Sequence, residues 1–271
     1  MLRGWCAIVA SPLFDISGRV ALITGASRGI GRAIAQGLAE AGASVALSSR
    51  TQADLFQTAE EIRALGARAE AFPADVARVA EIQALVRDVL VRMGQIDILV
   101  NVAGVNRRGP STEITEEDWD TVLDLNLKGL FFASQGVGRY WIETRRFAPE
   151  HNRGKGKIIN IGSIAGDRGS HRRAPYAASK SGVLGVTRTL AVEWATEGIC
   201  VNCLSPGYIE TELTKPLFDD PTFSASFHNR VPMGRRGYPV DLVGAAVFLA
   251  APASDYLTGQ TIVVDGGFLI A

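Results

Sequence analysis

Short apolar segments alternate with longer segments of helical periodicity along the whole chain. The apolar segments are four to six residues long, as is typical of buried strands, and comprise residues 20–24, 44–47, 68–72, 96–101, 157–161, 200–205 and 261–264. The segments between them repeat their apolar positions at helical spacing and predict helices at 30–40, 52–65, 79–93, 117–135, 176–196 and 240–249. The polar segment 144–156 is predicted to be a surface loop, because Pro149 and two glycines interrupt it.

Strands that alternate with helices form βαβ units, so this pattern predicts an α/β fold with a parallel sheet. Seven strands fill the chain without a change in composition. We therefore expect a single doubly wound domain of about seven strands over residues 16–271. Residues 1–15 precede the first strand and are predicted to be a short N-terminal extension, since their apolar run is too short for a signal peptide.

The composition is that of a globular protein, with 47% hydrophobic and 21% charged residues. The 28 basic residues balance 28 acidic ones, which argues against nucleic-acid binding. No apolar stretch approaches the ~18 residues of a membrane span. Three cysteines make no disulfide framework and favour a reducing, cytoplasmic location. Cys200 and Cys203 would point to opposite faces of a strand, so no metal is expected there.

A glycine-rich turn joins the first predicted strand to the first helix. Strand 20–24 is followed at once by three glycines and by helical periodicity. Glycines permit a tight turn and the close approach of a pyrophosphate, whose charge is stabilised by amides at a helix N-terminus. The strand, turn and helix together predict a Rossmann-type fold that binds a nicotinamide dinucleotide. The predicted contacts in this turn are Gly25, Ser27, Arg28, Gly29, Ile30 and Gly31.

The end of the second strand indicates which dinucleotide is bound. NAD sites carry Asp or Glu there to accept a hydrogen bond from the ribose 2′-hydroxyl, whereas this chain has Ser49 followed by Arg50. Arg50 and Arg28 suit a 2′-phosphate, so NADP is predicted and NAD is the less favoured cofactor. The alternative is that Arg50 ends the strand in solvent.

Two further turns are predicted to complete the cofactor cleft. Asp75 and Val76 follow the third strand, where Asp75 can accept a hydrogen bond from the adenine amino group. Asn101, Ala103 and Gly104 follow the fourth strand, where small residues let the backbone lie against the cofactor. Either segment alone would also fit an ordinary turn.

A tyrosine and a lysine open the helix that follows Pro175. Tyr176 and Lys180 are four residues apart and therefore lie on one face of that helix. A nearby ammonium stabilises a tyrosinate, so the pair predicts a group that exchanges a proton. Ser163, just after the fifth strand, offers a hydroxyl to a substrate oxygen.

These motifs resemble the short-chain dehydrogenase/reductase family over residues 17–271; the matching positions are 24–31, 101–104, 126, 163, 176–180, 206–207 and 264–267. The resemblance implies an oxidoreductase acting on CH–OH groups, with Tyr176 as general acid/base. Lys180 would stabilise the tyrosinate. Both Lys180 and Tyr176 would bind the nicotinamide ribose. Ser163 would hold the substrate oxygen, and Asn126 would hold a water of the proton relay.

The same resemblance extends to the segment after the sixth strand and to the assembly. It places Pro206, Gly207, Ile209 and Thr211 on the nicotinamide side, and it implies a homotetramer. Val102 departs from the family's usual Asn-Asn-Ala-Gly, which weakens one local hydrogen bond and affects no catalytic role.

Arginine doublets recur in the chain, and two of them follow the fourth and fifth strands. Ligands bind at the carboxyl edge of an open α/β sheet, so these doublets are candidates for the substrate site. They are Arg107, Arg108, Arg172 and Arg173. Arginine binds carboxylates with two hydrogen bonds, which predicts an anionic small-molecule substrate. Solvated surface charge is the alternative for each doublet.

Segments 103–108, 205–213, 231–237 and 244–249 resemble the gluconate 5-dehydrogenase branch of the family. The resemblance implies an NADP-dependent enzyme that interconverts a secondary alcohol and a ketone of a sugar acid. Family members with similar motifs reduce 3-oxoacyl thioesters on acyl carrier protein, which is the first alternative. A regulatory NADP-binding protein without turnover is the second, and the complete set Asn126, Ser163, Tyr176 and Lys180 argues against it.

Overall fold

All seven strands lie in one parallel sheet, in the order β3-β2-β1-β4-β5-β6-β7. The computed structural model describes residues 11–148, 154–212, 214–219, 227 and 230–271. The strands are β1 (Val20–Thr24), β2 (Ser44–Ser49), β3 (Ala69–Pro73), β4 (Ile98–Asn101), β5 (Gly156–Ile161), β6 (Ile199–Pro206) and β7 (Thr261–Val264). The predicted doubly wound Rossmann-type sheet is confirmed.

The central strands are apolar throughout because helices cover both faces of the sheet. Every residue of β1, β5 and β6 is buried. Successive residues point to opposite faces, so Leu22 packs in one core and Ile23 in the other. The core around Ile23 includes Ile34 and Leu249, and the core around Leu22 includes Trp141.

Helices α1, α2 and α8 contribute to the core around Ile23, and α3, α5 and α6 to the core around Leu22. The helices are α1 (Gly29–Glu40), α2 (Gln52–Ala64), α3 (Val79–Met93), α4 (Glu116–Leu123), α5 (Leu130–Glu143), α6 (Ala174–Trp194), α7 (Lys215–Phe218) and α8 (Val243–Ala250). None of the described helices is long and apolar enough to cross a membrane.

Two predicted helices differ from those observed. The segment predicted as a helix over 117–135 is helical throughout, but it runs from Glu116 to Glu143 and contains a π-helical turn, Asp124–Gly129, between α4 and α5. At Gly129 a Cβ would lie 2.2 Å from the carbonyl oxygen of Val76, so this turn packs its backbone directly on a neighbouring loop. The helix predicted from residue 240 begins at Val243, since Pro239–Leu242 forms a 3-10 turn.

The predicted N-terminal extension and the predicted loop 144–156 are each described only in part, and the described parts pack against the core. Ile16 is buried, and the ring of Phe14 lies 6.5 Å from that of Phe248. Residues 1–10 of the predicted extension lie outside the described residues, as do residues 149–153 of the predicted loop 144–156. That loop begins inside the core, because Phe147 is buried with its ring 5.3 Å from Trp141.

The sheet order places the candidate site. Strands β1 and β4 are neighbours, and the chain leaves them toward opposite sides of the sheet, which makes a crevice at their carboxyl ends. The loops after β1, β4, β5 and β6 all emerge at that edge. The predicted cofactor, catalytic and substrate residues lie on these loops, at the ends of strands (Ser49, Asn101 and Pro206), after β2 and β3, or on helices that begin at this edge.

Candidate active site

The glycine turn after β1 leaves no room for side chains. Gly25 and Gly29 have φ angles of 69° and 54°, which L side chains rarely adopt. A Cβ at Gly31 would lie 2.1 Å from the carbonyl oxygen of Gly25, and one at Gly25 would lie 2.8 Å from Cα of Ala103. The turn therefore forms a cradle of bare backbone beside the loop after β4.

Helix α1 starts from this cradle without a capping side chain. Its N-cap residue, Arg28, makes no side-chain hydrogen bond to the first helical amides. The first N–H groups of a helix need acceptors, and together with the helix dipole they favour an anion. The geometry fits a pyrophosphate bound at the start of α1.

The end of β2 supplies polar and cationic groups to the same cradle. The hydroxyl of Ser48 is buried and has no hydrogen-bond partner among the described residues. Arg50 is 63% exposed, and its guanidinium lies 3.8 Å from the carboxylate of Asp75. Arg28 lies 2.8 Å from Glu212, also in solvent. The strand end thus offers a hydroxyl and a guanidinium, the groups that a ribose 2′-phosphate requires.

A cavity of about 280 Å³ connects these elements. The predicted cofactor residues in its lining are Gly25, Ser27, Arg28, Gly29, Ile30, Gly31, Ser49, Arg50, Asp75, Val76, Ala103, Gly104 and Thr211. Ser48, Val105, Leu125 and Glu212 also line it and were missed. Asn101, Pro206, Ile209 and Lys180 are buried outside that lining, while Tyr176 and Gly207 line the neighbouring cavity.

The loops after β1 and β4 and the segment after β6 converge on this cavity through direct contacts. Thr24 Oγ1 accepts hydrogen bonds from the amides of Val102 and Ala103, at 3.2 and 3.4 Å. A Cβ at Gly29 would lie 3.4 Å from the methyl of Thr211. Asp75 Oδ1 accepts from the amide of Ala77 at 3.1 Å, which shapes the turn after β3.

The π-helical turn aims Asn126 at the loop after β4. Its Oδ1 accepts from the amide of Val105 at 2.8 Å, and its Nδ2 donates to the carbonyl of Val105 at 2.9 Å. The same amide group donates to Ser179 Oγ at 3.1 Å, and that hydroxyl donates to the carbonyl of Tyr176 at 2.7 Å. Asn126 therefore ties the cofactor side of the cleft to the helix that carries Tyr176.

Tyr176 and Lys180 lie on α6 as predicted, and the backbone of β5 fixes the lysine. Lys180 Nζ donates to the carbonyl of Ile161 at 2.6 Å and lies 5.7 Å from the centre of the Tyr176 ring. Lys180 is buried, whereas Tyr176 is half-buried. Ser163 Oγ accepts from the amide of Ala165 at 3.1 Å, so its own proton is available to a ligand.

Ser163 and Tyr176 line a second cavity of about 290 Å³. Its other lining residues are Asn106, Arg108, Ile164, Ala165, Arg168, Gly169, Ser170, His171, Arg173, Gly207, Tyr208, Thr214, Arg230 and Phe268. Four of these are arginines and none is acidic. A cavity that joins a tyrosine and a serine hydroxyl to cationic groups suits a hydroxyl or carbonyl compound with an anionic substituent.

Of the four arginines predicted for the substrate site, two line the cavity and two do not. Arg108 and Arg173 line the cavity. Arg107 does not, because its guanidinium lies 3.5 Å from Asp118. Arg172 does not either; its φ of 58° turns the chain, and its carbonyl accepts from the amide of Gly109 at 3.2 Å.

Sequence reasoning missed several residues of this cavity. Arg168 and Arg230 lie far apart in the chain, and Tyr208 and Phe268 carry no motif of their own. Arg168 precedes a doublet that was considered, and Tyr208 follows Pro206 and Gly207 directly. Proximity in sequence to predicted residues was the signal that could have found Arg168 and Tyr208. Tyr208 and Phe268 come together only in the folded chain.

The pair Cys200 and Cys203 lies on β6 with the thiols in different surroundings. Cys200 Sγ donates to the carbonyl of Asp255 at 3.6 Å, and Cys203 Sγ lies 3.7 Å from Ser205 Oγ. Burial raises the pKa of both thiols. Both are free in the structure and protected from solvent.

Comparison with known proteins identifies the family. A family model described as enoyl-(acyl carrier protein) reductase matches residues 25–269. The chain belongs to the short-chain dehydrogenase/reductase family. As a member of that family it is an oxidoreductase, as predicted from its motifs.

Several members of the short-chain dehydrogenase/reductase family resemble this chain over nearly its full length. The 2-dehydro-3-deoxy-D-gluconate 5-dehydrogenase of Escherichia coli (strain K12) is 43% identical over 94% of this chain and 97% of its own. A 3-oxoacyl-(acyl-carrier-protein) reductase of Staphylococcus epidermidis is 40% identical over 91% and 97%. A gluconate 5-dehydrogenase of Burkholderia cenocepacia J2315, solved with NADP and tartrate, has a TM-score of 0.90 and 42% identity over 96% and 98%.

Proposed function

We propose that this protein is an NADP-dependent dehydrogenase/reductase that interconverts a secondary hydroxyl and a ketone on a sugar acid. One observation carries the substrate class: Ser163 and Tyr176 open into a cavity whose described lining contains four arginines and no carboxylate. The similarity to a gluconate 5-dehydrogenase and a 2-dehydro-3-deoxy-D-gluconate 5-dehydrogenase supports the same class.

The residues of the first cavity would hold NADP. Arg50 and the hydroxyls of Ser48 and Ser49 would bind the 2′-phosphate, and the amides at the start of α1 the pyrophosphate. Asp75 would accept from the adenine amino group. When bound, NADP supplies a nicotinamide ring that accepts or returns a hydride.

Side chains of this protein would handle the proton and the substrate oxygen. In reduction, Tyr176 Oη donates its proton to the oxygen that becomes the hydroxyl; in oxidation it accepts that proton. Ser163 Oγ donates a hydrogen bond to the same oxygen, since Ala165 already occupies its acceptor side. Lys180 places a positive charge beside Tyr176.

Arg108 and Arg173 would bind the carboxylate of the substrate. Arg108 comes from the loop after β4, and the guanidinium of Arg173 lies 5.9 Å from the centre of the Tyr208 ring. The loops that carry them are joined by the hydrogen bond between Gly109 and Arg172. A planar guanidinium held in this way binds a carboxylate with two hydrogen bonds and fixes the sugar chain against Tyr176.

The decisive experiment measures turnover with NADP or NADPH on a panel of sugar acids, neutral polyols and 3-oxoacyl thioesters. We expect the highest kcat/KM on a sugar acid. A higher kcat/KM on 3-oxoacyl thioesters would replace the proposed substrate by the alternative, which similarity to the Staphylococcus epidermidis reductase favours.

We also propose a homotetramer in a reducing, cytoplasmic compartment. A groove along α5 and α6 is lined by Phe131, Val186, Leu190 and Trp194, and a second copy of the chain would bury it. Buried free thiols at Cys200 and Cys203 suit a reducing compartment. Sedimentation of the purified protein tests the assembly, and a monomer at micromolar concentration would contradict it.

A further inference from the structure

We propose that the substrate cavity contains a second anion-binding point, formed by Arg168 and Arg230 against the ring of Phe268, and that the substrate is therefore a sugar acid with two anionic groups. The second group is either another carboxylate or a phosphate. This inference rests on the proposed function and specifies its substrate class.

The two arginines lie near the same aromatic ring and line the same cavity, although they come from distant parts of the chain. The Arg168 guanidinium carbon lies 5.1 Å from the centre of the Phe268 ring, and that of Arg230 lies 5.0 Å from it. Phe268 is only 5% exposed, so the ring is a fixed support. We call Arg168 and Arg230 the Phe268 arginine pair.

Two guanidinium groups that line one cavity repel each other, and an anion bound between them would offset that repulsion. In the part of the chain that the structure describes, no carboxylate forms an ion pair with either member of the Phe268 arginine pair. A ring face favours a cation but does not neutralise it. The pair is thus placed to receive an anion from outside the chain.

Neighbouring arginines show that the chain neutralises guanidinium groups elsewhere. Arg235 lies 2.7 Å from Asp241, Arg236 lies 2.7 Å from Glu210, and Arg107 lies 3.5 Å from Asp118. None of these three lines the cavity beside Tyr176. The described arginines that do line it lack such partners, which separates ligand-facing cations from structural ones.

The cavity contains more arginines than a single carboxylate can bind. A carboxylate is satisfied by one arginine in bidentate geometry, and the cavity contains Arg108 and Arg173 in addition to the Phe268 arginine pair. Arg108 leaves the sheet after β4, whereas Phe268 belongs to the C-terminal segment after β7. A sugar chain with anionic groups on both ends would engage both groups of arginines.

The test uses one six-carbon polyol chain with two, one or no carboxylates. Binding of D-glucarate, D-gluconate and D-glucitol to the NADP-saturated protein is measured by calorimetry, together with 6-phospho-D-gluconate. We expect glucarate or the phosphorylated acid to bind about tenfold or more tightly than gluconate, and glucitol more weakly than any acid. The tighter of the two dianionic probes identifies the second group as carboxylate or phosphate.

The variant Arg168→Gln, alone and with Arg230→Gln, should remove this preference. We expect the advantage of the dianionic probes over gluconate to fall to about threefold or less, while gluconate binding through Arg108 and Arg173 persists. Arg87→Gln, on the exposed side of α3, removes the same charge away from the cavity and should keep the full preference. NADP affinity, measured on each variant, shows that it is folded.

Equal affinity of wild type for gluconate and both dianionic probes would overturn the inference. A preference that survives in the double variant would overturn it as well. The proposed function is judged separately, by turnover: if no sugar acid is oxidised or reduced, that function fails, and the ratio of affinities still decides whether the second anion-binding point exists.

Discussion

The ammonium of Lys180 donates a hydrogen bond to the backbone carbonyl of Ile161 at 2.6 Å. This contact attaches α6 to the end of β5 and holds the lysine beside Tyr176, and no carboxylate among the described residues pairs with it. The positive charge is therefore placed by backbone geometry, and it is available to the phenol and to a ribose.

Lys180→Met should test this arrangement. The change removes the charge and leaves the carbonyl of Ile161 without its donor. We expect kcat to fall at least about a hundredfold and NADP to bind about tenfold more weakly. Steady-state kinetics and NADPH fluorescence titration measure the two effects. Lys128→Met, at an exposed lysine bonded to Asp124, is the control, and an equal loss in both variants would contradict the assignment.

Tyr176→Phe removes only the hydroxyl that we propose exchanges the proton. We expect kcat to fall by about 10²–10⁴, the usual contribution of a positioned general acid/base, with cofactor affinity little changed. Tyr140→Phe, on α5 outside both cavities, is the matched control. A Tyr176→Phe variant that retains more than about a tenth of wild-type kcat would remove Tyr176 from the mechanism.

Arg50→Ala should separate NADP from NAD. Loss of one charged contact to the 2′-phosphate is worth about 1.5–3 kcal/mol, so NADP should bind about tenfold to a hundredfold more weakly while NAD is barely affected. Arg78→Ala, whose arginine pairs with Glu81 outside the cavity, is the comparison. Equal turnover of NAD and NADP by the wild type would show that Arg50 ends its strand in solvent.

Arg108→Ala should raise KM for anionic substrates about tenfold or more and leave that for uncharged ketones unchanged, because only the anion uses the guanidinium. Arg107→Ala should have a much smaller effect, since Arg107 pairs with Asp118 and does not line the cavity. Lysine at position 108 should rescue poorly, since it lacks the planar pair of donors. Equal effects of the two alanine variants would contradict the placement.

Asp241 gives a prediction about acid stability. Hydrogen bonds from the Arg235 guanidinium and the Tyr238 amide lower the pKa of Asp241 to about 2. A folded-state pKa below that of the unfolded chain stabilises the fold above about pH 4, and the stabilisation is lost as pH falls through about 2. Asp241→Asn should lower the free energy of unfolding by about 1 kcal/mol at neutral pH.

Urea unfolding of wild type and Asp241→Asn at a series of pH values measures this difference. The gap between the two proteins should narrow as the pH is lowered from neutral toward about 2. Asp88→Asn, at an exposed aspartate on α3, should show no such trend. A gap independent of pH would mean that the charge of Asp241 does not stabilise the fold.

The tertiary structure alone decided how the α4 and α5 region and the arginines are arranged. Helical periodicity runs through residues 117–135, and the structure contains within it a π-helical turn that packs Gly129 on Val76 and aims Asn126 at Val105. No periodic pattern records such a contact between distant segments. Arg107 and Arg108 are adjacent in the chain, yet only the second lines the cavity, because loop dihedrals rather than sequence position set the direction of each side chain.

The sequence by itself determined the sheet, the glycine cradle and the pairing of Tyr176 with Lys180. These features depend on local rules: continuous apolar strands in a parallel sheet, bare backbone at Gly25 and Gly31, and the four-residue spacing of a helix face. The cationic cavity depends on contacts between loops far apart in the chain. Phe268 brings Arg168 and Arg230 together only after β5, β6 and β7 have paired, so the folded sheet decided which of the arginines can meet a substrate.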